Sequence, residues 1–484
     1  MPFTTRTYAR NMLLIFTLAL VAGLATPAVA EEERPPNFVI IFTDDLGYND
    51  LGCFGAPEIA TPRIDQMARE GMRFTSFYAQ PICGPSRGAI MTGCYPLRLA
   101  ERGNIKNVHP VLHANEITIA DLLAQHGYAS AAIGKWDLAG HSNTEYHTDL
   151  LPKHQGFDSH FGTPSSNDAP EKMVLLRDGE VIERGVNVDT LTRRYTDASL
   201  EFIEANQDRP FFLYLAHAMP HTELGASAQF RGKSKRGFYG DVIEEIDWNV
   251  GRILDKLAEL KLDRSTYVLF TSDNGPWLRE KDHGGSALPL RSGKASTWEG
   301  GLRVPCIAWA PGRVPKGATS DEICSTLDVL PTLAHLADAA LPSDRTIDGH
   351  NIAPLLHAEP GAESPTEAYY YYLYTHLQAV RSGDWKLHLP RPAQPRWVPV
   401  RSRAHIAPED IVQIDQPLLF NLKEDIGEQH DVASAHPEVV ARLLALADEA
   451  RRDIGDYNRI GEGARFFDDP EPRRPKAQRL RGKH

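Results

Sequence analysis

Cysteine is scarce in this chain, with 5 in 484 residues. Cys53, Cys83, Cys94, Cys306 and Cys324 fit no zinc-site spacing and are too few for a disulfide scaffold. Positive charge is also short. Lysine and arginine number 52 against 64 aspartates and glutamates, giving a net charge of −12. That balance excludes a general electrostatic grip on nucleic acid. A bound anion would need positive charge concentrated at one place. Long apolar runs are absent beyond the first 30 residues, and no internal repeat is present.

The one early apolar stretch, Met12 to Ala25, is short for a membrane span. Arg6 and Arg10 precede it, and Ala28-Val29-Ala30 closes it with small residues at cleavage spacing. Residues 1–30 therefore read as a cleavable secretory signal, which implies a secreted or periplasmic protein with no membrane span in the mature chain. Removing the two arginines changes the net charge from −12 to −14. In an exported chain, an odd cysteine count leaves at least one without an internal partner, and Cys83 is the candidate.

The 454 residues left (484 − 30) exceed one ordinary domain. "NFVIIF", "YASAAIG", "FFLYLA" and "TYVLFTSDNG" are apolar runs of strand length. Amphipathic helical stretches such as "TPRIDQMAREG", "ITIADLLAQHG" and "DVIEEIDWNVGRILDKLAELKL" alternate with them. This order predicts an α/β fold, a mostly parallel central sheet sandwiched by helices. The Pro-, Gly- and acid-rich stretch Leu355 to Glu367 reads as a linker. The expected division is a catalytic domain over 31–362 and a smaller C-terminal α+β domain over 363–484. Within the latter, the tyrosine run reads as one strand with a half-buried face, a helix spans about Pro437 to Ile454, and a flexible tail begins near 470. The basic stretch Phe230 to Phe238 reads as a solvated loop.

Polar residues gather just past the predicted strand ends, where open α/β sheets place ligand sites. Asp44-Asp45 and Asp273-Asn274 are oxygen donors suited to a hard divalent cation; either pair alone also suits a turn or cap. Arg87, Lys135 and Lys294 supply concentrated positive charge. His221 is a candidate general acid. "PICGPSRGAI" places Cys83 just ahead of a predicted helix opened by Gly84 and Pro85, near free N–H groups that favour an anion.

The chain resembles the type I sulfatases, in particular the arylsulfatase A-like group of the alkaline phosphatase-like superfamily. "CGPSRGAIMTG" matches the Cys-x-Pro-Ser-Arg signature. "FTDDLGYNDLGCFG", "GKW", "FFLYLA…PHT", "FTSDNGP", "SGKASTWEGGLRVP" and "STLDVLPTLAHLA" match further blocks in order, and "AVRSGDWKLHL" and "LFNLKEDIGEQHDVA" match the C-terminal domain. The resemblance implies hydrolysis of a sulfate ester, in particular on a sulfated carbohydrate. It implies that a separate formylglycine-generating maturation enzyme converts Cys83 to formylglycine (3-oxoalanine). The hydrated aldehyde attacks sulfur, then expels sulfate. Asp44, Asp45, Asp273, Asn274 and the residue-83 oxygen would hold one Ca2+. Arg87 would stabilise the nucleophile, Lys135 and Lys294 would hold sulfate oxygens, and His221 would protonate the leaving alcohol.

One position departs from the pattern. The family motif Gly-Lys-Trp-His-Leu-Gly reads "GKWDLAG" here, so Asp137 stands where a histidine is expected to take the proton that frees sulfate. A carboxylate can serve as base, but it adds negative charge beside an anionic substrate. His141 could supply the imidazole, sharing a face with Asp137 if Trp136 to His141 is helical. Two other readings stay open: a phosphonate or phosphate monoester hydrolase on the same scaffold, and a sulfated-glycan-binding protein without turnover.

Overall fold

Apolar runs of six or seven residues, buried throughout except at the half-buried Leu269, form the centre of the molecule, as a sheet covered on both faces requires. The computed structural model describes residues 1–3, 34–100, 110–393 and 408–465. The segment read as a signal and the tail from about 470 lie outside these residues, apart from residues 1–3. From Pro35 onward the chain forms one compact unit.

The large sheet has eleven strands. Five at its centre run parallel, in the order Thr266–Ser272, Asn37–Thr43, Phe211–Ala216, Ala129–Lys135 and Ser159–Thr163. The flanks differ from the expected pattern. Arg303–Trp309 joins one side antiparallel and pairs in turn with Met72–Tyr78, while Val174–Arg177 and Glu180–Arg184 extend the other as an antiparallel hairpin. The two hairpin strands are joined by the turn Asp178-Gly179, with Asp178 at φ 52° and Gly179 at φ 92°.

The pleat sends alternate residues of Asn37–Thr43 to opposite cores. Phe38, Ile40 and Phe42 pack under the helices Cys83–Thr92, Ile119–Ala124 and Val329–Leu336. Val39 and Ile41 pack under Pro62–Glu70, Leu191–Ala205 and Phe238–Glu259. Among the described residues no helix is long and apolar enough to cross a membrane.

A second sheet of four antiparallel strands follows: Tyr369–Leu373, His376–Ser382, Trp385–His388 and Leu418–Asn421. Helix Pro437–Asp453 covers it through Leu443, Leu446 and Ala447. The tyrosine strand is more buried than alternation predicts. Tyr369, Tyr371 and Tyr372 are all buried, because the register shifts between Tyr371 and Tyr372. A shift of this kind sends consecutive side chains inward. The loop around Phe230 to Phe238 is solvated as expected, and Asp241 pins its backbone by accepting from the N–H groups of Gly232, Lys233 and Ser234.

Candidate active site

Parallel pairing aligns the strand ends, so their trailing residues meet. Thr43 lies opposite Ser272, and Phe42 and Gly134 both lie opposite Ala216. Asp44-Asp45 and Asp273-Asn274 follow the first pair directly, and Lys135 ends its own strand. Asp45 takes a left-handed backbone (φ 67°), a conformation that aspartate tolerates better than most residues. This turn lets its N–H donate to Asp273 Oδ1 at 3.2 Å.

Cys83 opens helix Cys83–Thr92 instead of preceding it, with Ile82 as the cap. Its Sγ lies 3.2 Å from Asp44 Oδ1 and 4.0 Å from Asp45 Oδ1. Arg87, one turn on and fully buried, pairs with Asp273 Oδ2 at 2.7 Å and donates to the Lys135 carbonyl at 3.0 Å. Lys135 Nζ sits 2.6 Å from Asp44 Oδ2. Lys294 Nζ sits 2.7 Å from Asp45 Oδ1. The loop carrying Lys294 is tight, with Ser292 and Ala295 both at positive φ.

Ten of the residues singled out in the sequence are thus joined through ion-pair or hydrogen-bond distances. Asp137 enters through Lys135, 3.9 Å away, and His221 through Asp45, 3.7 Å away. The His221 Nδ1 faces the Thr222 carbonyl, which leaves Nε2 turned toward Asp45. Asp168 and Trp277 complete the surroundings. Asp168 lies 3.7 Å from His221 Nε2, and the Trp277 ring lies 5.4 Å from the His221 ring and 4.9 Å from Lys294 Nζ. The sequence did not single out either residue. Asp168 sits in a Ser- and Asn-rich loop with nothing to distinguish it, whereas Trp277 could have been noticed three residues after Asn274.

The electrostatics are those of a crowded acid site. Burial works against charge on Asp44, yet Lys135 and its cationic neighbours hold the carboxyl well below its usual range. Burial, with Asp44 alongside, pushes Asp273 up to about 7. Burial also pushes the Cys83 thiol far up, reinforced by Asp273 and Asp44.

The donor set fits a hard cation. Three buried carboxylates meet, and the Asn274 amide nitrogen is satisfied by Asp45 and by the Gly275 carbonyl, while its Oδ1 has no hydrogen-bond partner. Asp44, Asp45, Cys83 and His221 offer donor atoms within 4.8 Å of one another. Arg87, Lys135 and Lys294 balance three carboxylates, so an added divalent ion would leave the pocket positive.

Comparisons with known proteins identify the family. The family model described as Sulfatase matches residues 36–339, and the one described as the C-terminal region of aryl-sulfatase matches 364–469. N-acetylgalactosamine-6-sulfatase of Canis lupus familiaris is 37% identical, over 90% of both chains. Arylsulfatase A of Homo sapiens is 36% identical, over 89% of both. A sulfatase from Pseudoalteromonas sp. superposes with a TM-score of 0.74 at 27% identity, covering 86% of this chain and 89% of that one. A Bacteroides thetaiotaomicron protein described with the metabolism of multiple glycosaminoglycans gives 0.75 at 28%, covering 86% and 99%. The two family matches together span the strands of both sheets, and the chain belongs to the sulfatase family of sulfuric ester hydrolases.

Proposed function

We propose that this enzyme releases inorganic sulfate from a sulfated carbohydrate outside the cytoplasm, with residue 83 as nucleophile after conversion of its thiol to formylglycine. The observation that carries the reading is the meeting of Cys83 with three carboxylates and three cationic side chains on one buried floor. Asp44, Asp45, Asp273 and Asn274 would hold Ca2+. The hydrated aldehyde would supply a hydroxyl nucleophile, and the ion would lower that hydroxyl's pKa.

The chain's own side chains do the rest. Lys135 and Lys294 offer ammonium groups to sulfate oxygens and stabilise the negative charge that grows on them. Arg87 braces the floor by bridging Asp273 and the Lys135 carbonyl. His221, its ring fixed through Nδ1, holds a proton at Nε2 for the leaving oxygen. The half-buried Trp277 presents an indole face beside Lys294, suited to stacking on a sugar ring. Trp277→Ala is expected to raise KM for a sulfated sugar by about 3- to 10-fold with a smaller change in kcat, a stacking contribution of ordinary size. Steady-state kinetics on wild type and variant check this.

The substrate reading is tested by offering the matured enzyme matched sulfate, phosphate and phosphonate esters of one alcohol. Preference for the sulfate ester is expected; preference for phosphate or phosphonate overturns it. Glycan binding without turnover of any ester would favour a binding protein. Chelation tests the metal. It is expected to abolish turnover and lower Tm, because the crowded carboxylates lose their counter-ion, and added calcium restores both. Turnover and Tm unaffected by chelation contradict the ligand assignment.

A further inference from the structure

The departure at position 137 has a structural answer in the loop that follows strand Ala129–Lys135. Asp137 is fully buried and adopts a left-handed backbone (φ 57°), with its N–H bonded to the Pro164 carbonyl at 3.1 Å. Its two oxygens have different surroundings. Oδ1 lies 2.5 Å from His141 Nδ1. Oδ2 has no hydrogen-bond partner and sits 3.9 Å from Lys135 Nζ, on the side of the pocket floor. The stretch from Trp136 to His141 is not helical, so the condition under which the two residues would share a helical face is not met. The turn at Asp137 brings the two side chains together instead.

On the far side, His141 Nε2 lies 3.4 Å from Asp168 Oδ2. The Ser166 hydroxyl donates to that same oxygen and anchors the carboxylate. The imidazole is therefore clamped between two carboxylates, while its side chain remains 29% exposed and in reach of solvent.

We infer that Asp137 and His141 act as one proton-holding pair in place of the single histidine of the family motif, with Asp168 as a positioning residue for the imidazole. The inference rests on the sulfatase reading above. The charge arithmetic favours it. A lone carboxylate would leave a fixed negative charge beside an anionic substrate. With a proton on His141 the pair is neutral, as a histidine is. Without that proton, the pair is a base whose free oxygen, Asp137 Oδ2, faces the pocket. One proton is transferred: it leaves a hydroxyl in the pocket as sulfate departs and lands on Oδ2, and the pair later returns it to water through the exposed imidazole.

Asp137, Asp168 and Lys135 are the charged groups acting on His141. Burial and Lys135 disfavour the imidazolium, but the two carboxylates outweigh them and raise its pKa to about 9. Burial likewise opposes charge on Asp137, yet His141 and Lys135 keep its carboxyl below the usual value. The pair titrates as a unit. Its basic form is populated only as pH rises toward about 9, so sulfate release should climb along an alkaline limb.

The test combines kinetics with NMR on the full-length, matured enzyme. Inorganic sulfate release from nitrophenyl sulfate is followed across neutral and alkaline pH for wild type, His141→Asn and Asp168→Asn. The His141 imidazole is titrated by NMR, with His141→Asn giving its assignment. The alkaline limb is expected in wild type and absent in His141→Asn. In Asp168→Asn, where a half-exposed side chain is replaced by one of equal size, the imidazole pKa should fall by about one unit or more, and the limb should move down with it. A limb unchanged in His141→Asn, or an imidazole titrating at the ordinary histidine value and unaffected by Asp168→Asn, overturns the pair and leaves the sulfatase reading standing. No release from any sulfate ester at any pH overturns both.

Discussion

Cys83→Ala is expected to lower kcat by about 10⁵-fold or more, the scale seen when a covalent nucleophile is removed from an otherwise intact site. The loss should fall on chemistry and spare folding. The Cys83 side chain contributes little beyond a contact between Sγ and Asp44, and removing one buried sulfur leaves the opposed charges of the floor in place. Lys135, Lys294 and His221 are untouched, so the variant should still bind inorganic sulfate and be stabilised by it. Turnover assays paired with a sulfate-dependent shift in Tm separate the two effects. A variant that retains more than about a hundredth of wild-type kcat would remove Cys83 from the nucleophile position.

Lys386→Met is expected to destabilise the protein by about 3–5 kcal/mol, the range for breaking a buried ion pair and stranding its partners. Lys386 Nζ lies 2.9 Å from Glu299 Oε1 and 2.8 Å from Glu428 Oε1, and all three side chains are fully buried. Glu428 also accepts from the Glu299 N–H at 2.6 Å and meets His388 Nε2 at 2.7 Å, while Tyr78 and Tyr371 donate to Glu299. Burial opposes charge on Glu299, but Lys386, Arg303 and Arg381 hold it well below the usual range. Burial raises Glu428 to about 7 despite Lys386. Without the lysine, two carboxylates would share a site with no ammonium between them. The network joins the helix Glu299–Leu302, which closes the Lys294 loop, to strand Trp385–His388 of the smaller sheet. Denaturant unfolding measures the loss, and adding Glu428→Gln to Lys386→Met should recover part of it. A change below about 1 kcal/mol would mean that the cluster contributes little net stability.

The clustering of the candidate metal and anion residues was legible because strand ends are legible. Asp44-Asp45, Asp273-Asn274 and Lys135 each follow an apolar run, and in-register parallel pairing converts that shared sequence position into a shared place. The antiparallel flanks were not legible, since Met72–Tyr78 and Arg303–Trp309 carry the same apolar character whichever way they run. Asp168 was hidden because its proposed positioning role depends on a contact with His141, 27 residues earlier, across two loops. The cluster of Glu299, Lys386 and Glu428 was hidden for the same reason. Each residue reads as an ordinary surface charge until three distant segments meet. A meeting of Asp137 with His141 was raised only on the condition of a helix, and the structure brings them together without one. The positive φ at Asp137 that makes it has no reliable signal in a single sequence.

The measurement that bears most directly on the site is the mass of the tryptic peptide Phe74–Arg87, taken from protein made in a host that carries out the maturation and shown in the same preparation to release sulfate. The expected peptide is lighter than its sequence by the exchange of sulfur for oxygen and the loss of two hydrogens, as an aldehyde at position 83 requires. A full-mass peptide, with the thiol intact in protein that turns over a sulfate ester, would contradict the assignment of residue 83 as a matured nucleophile.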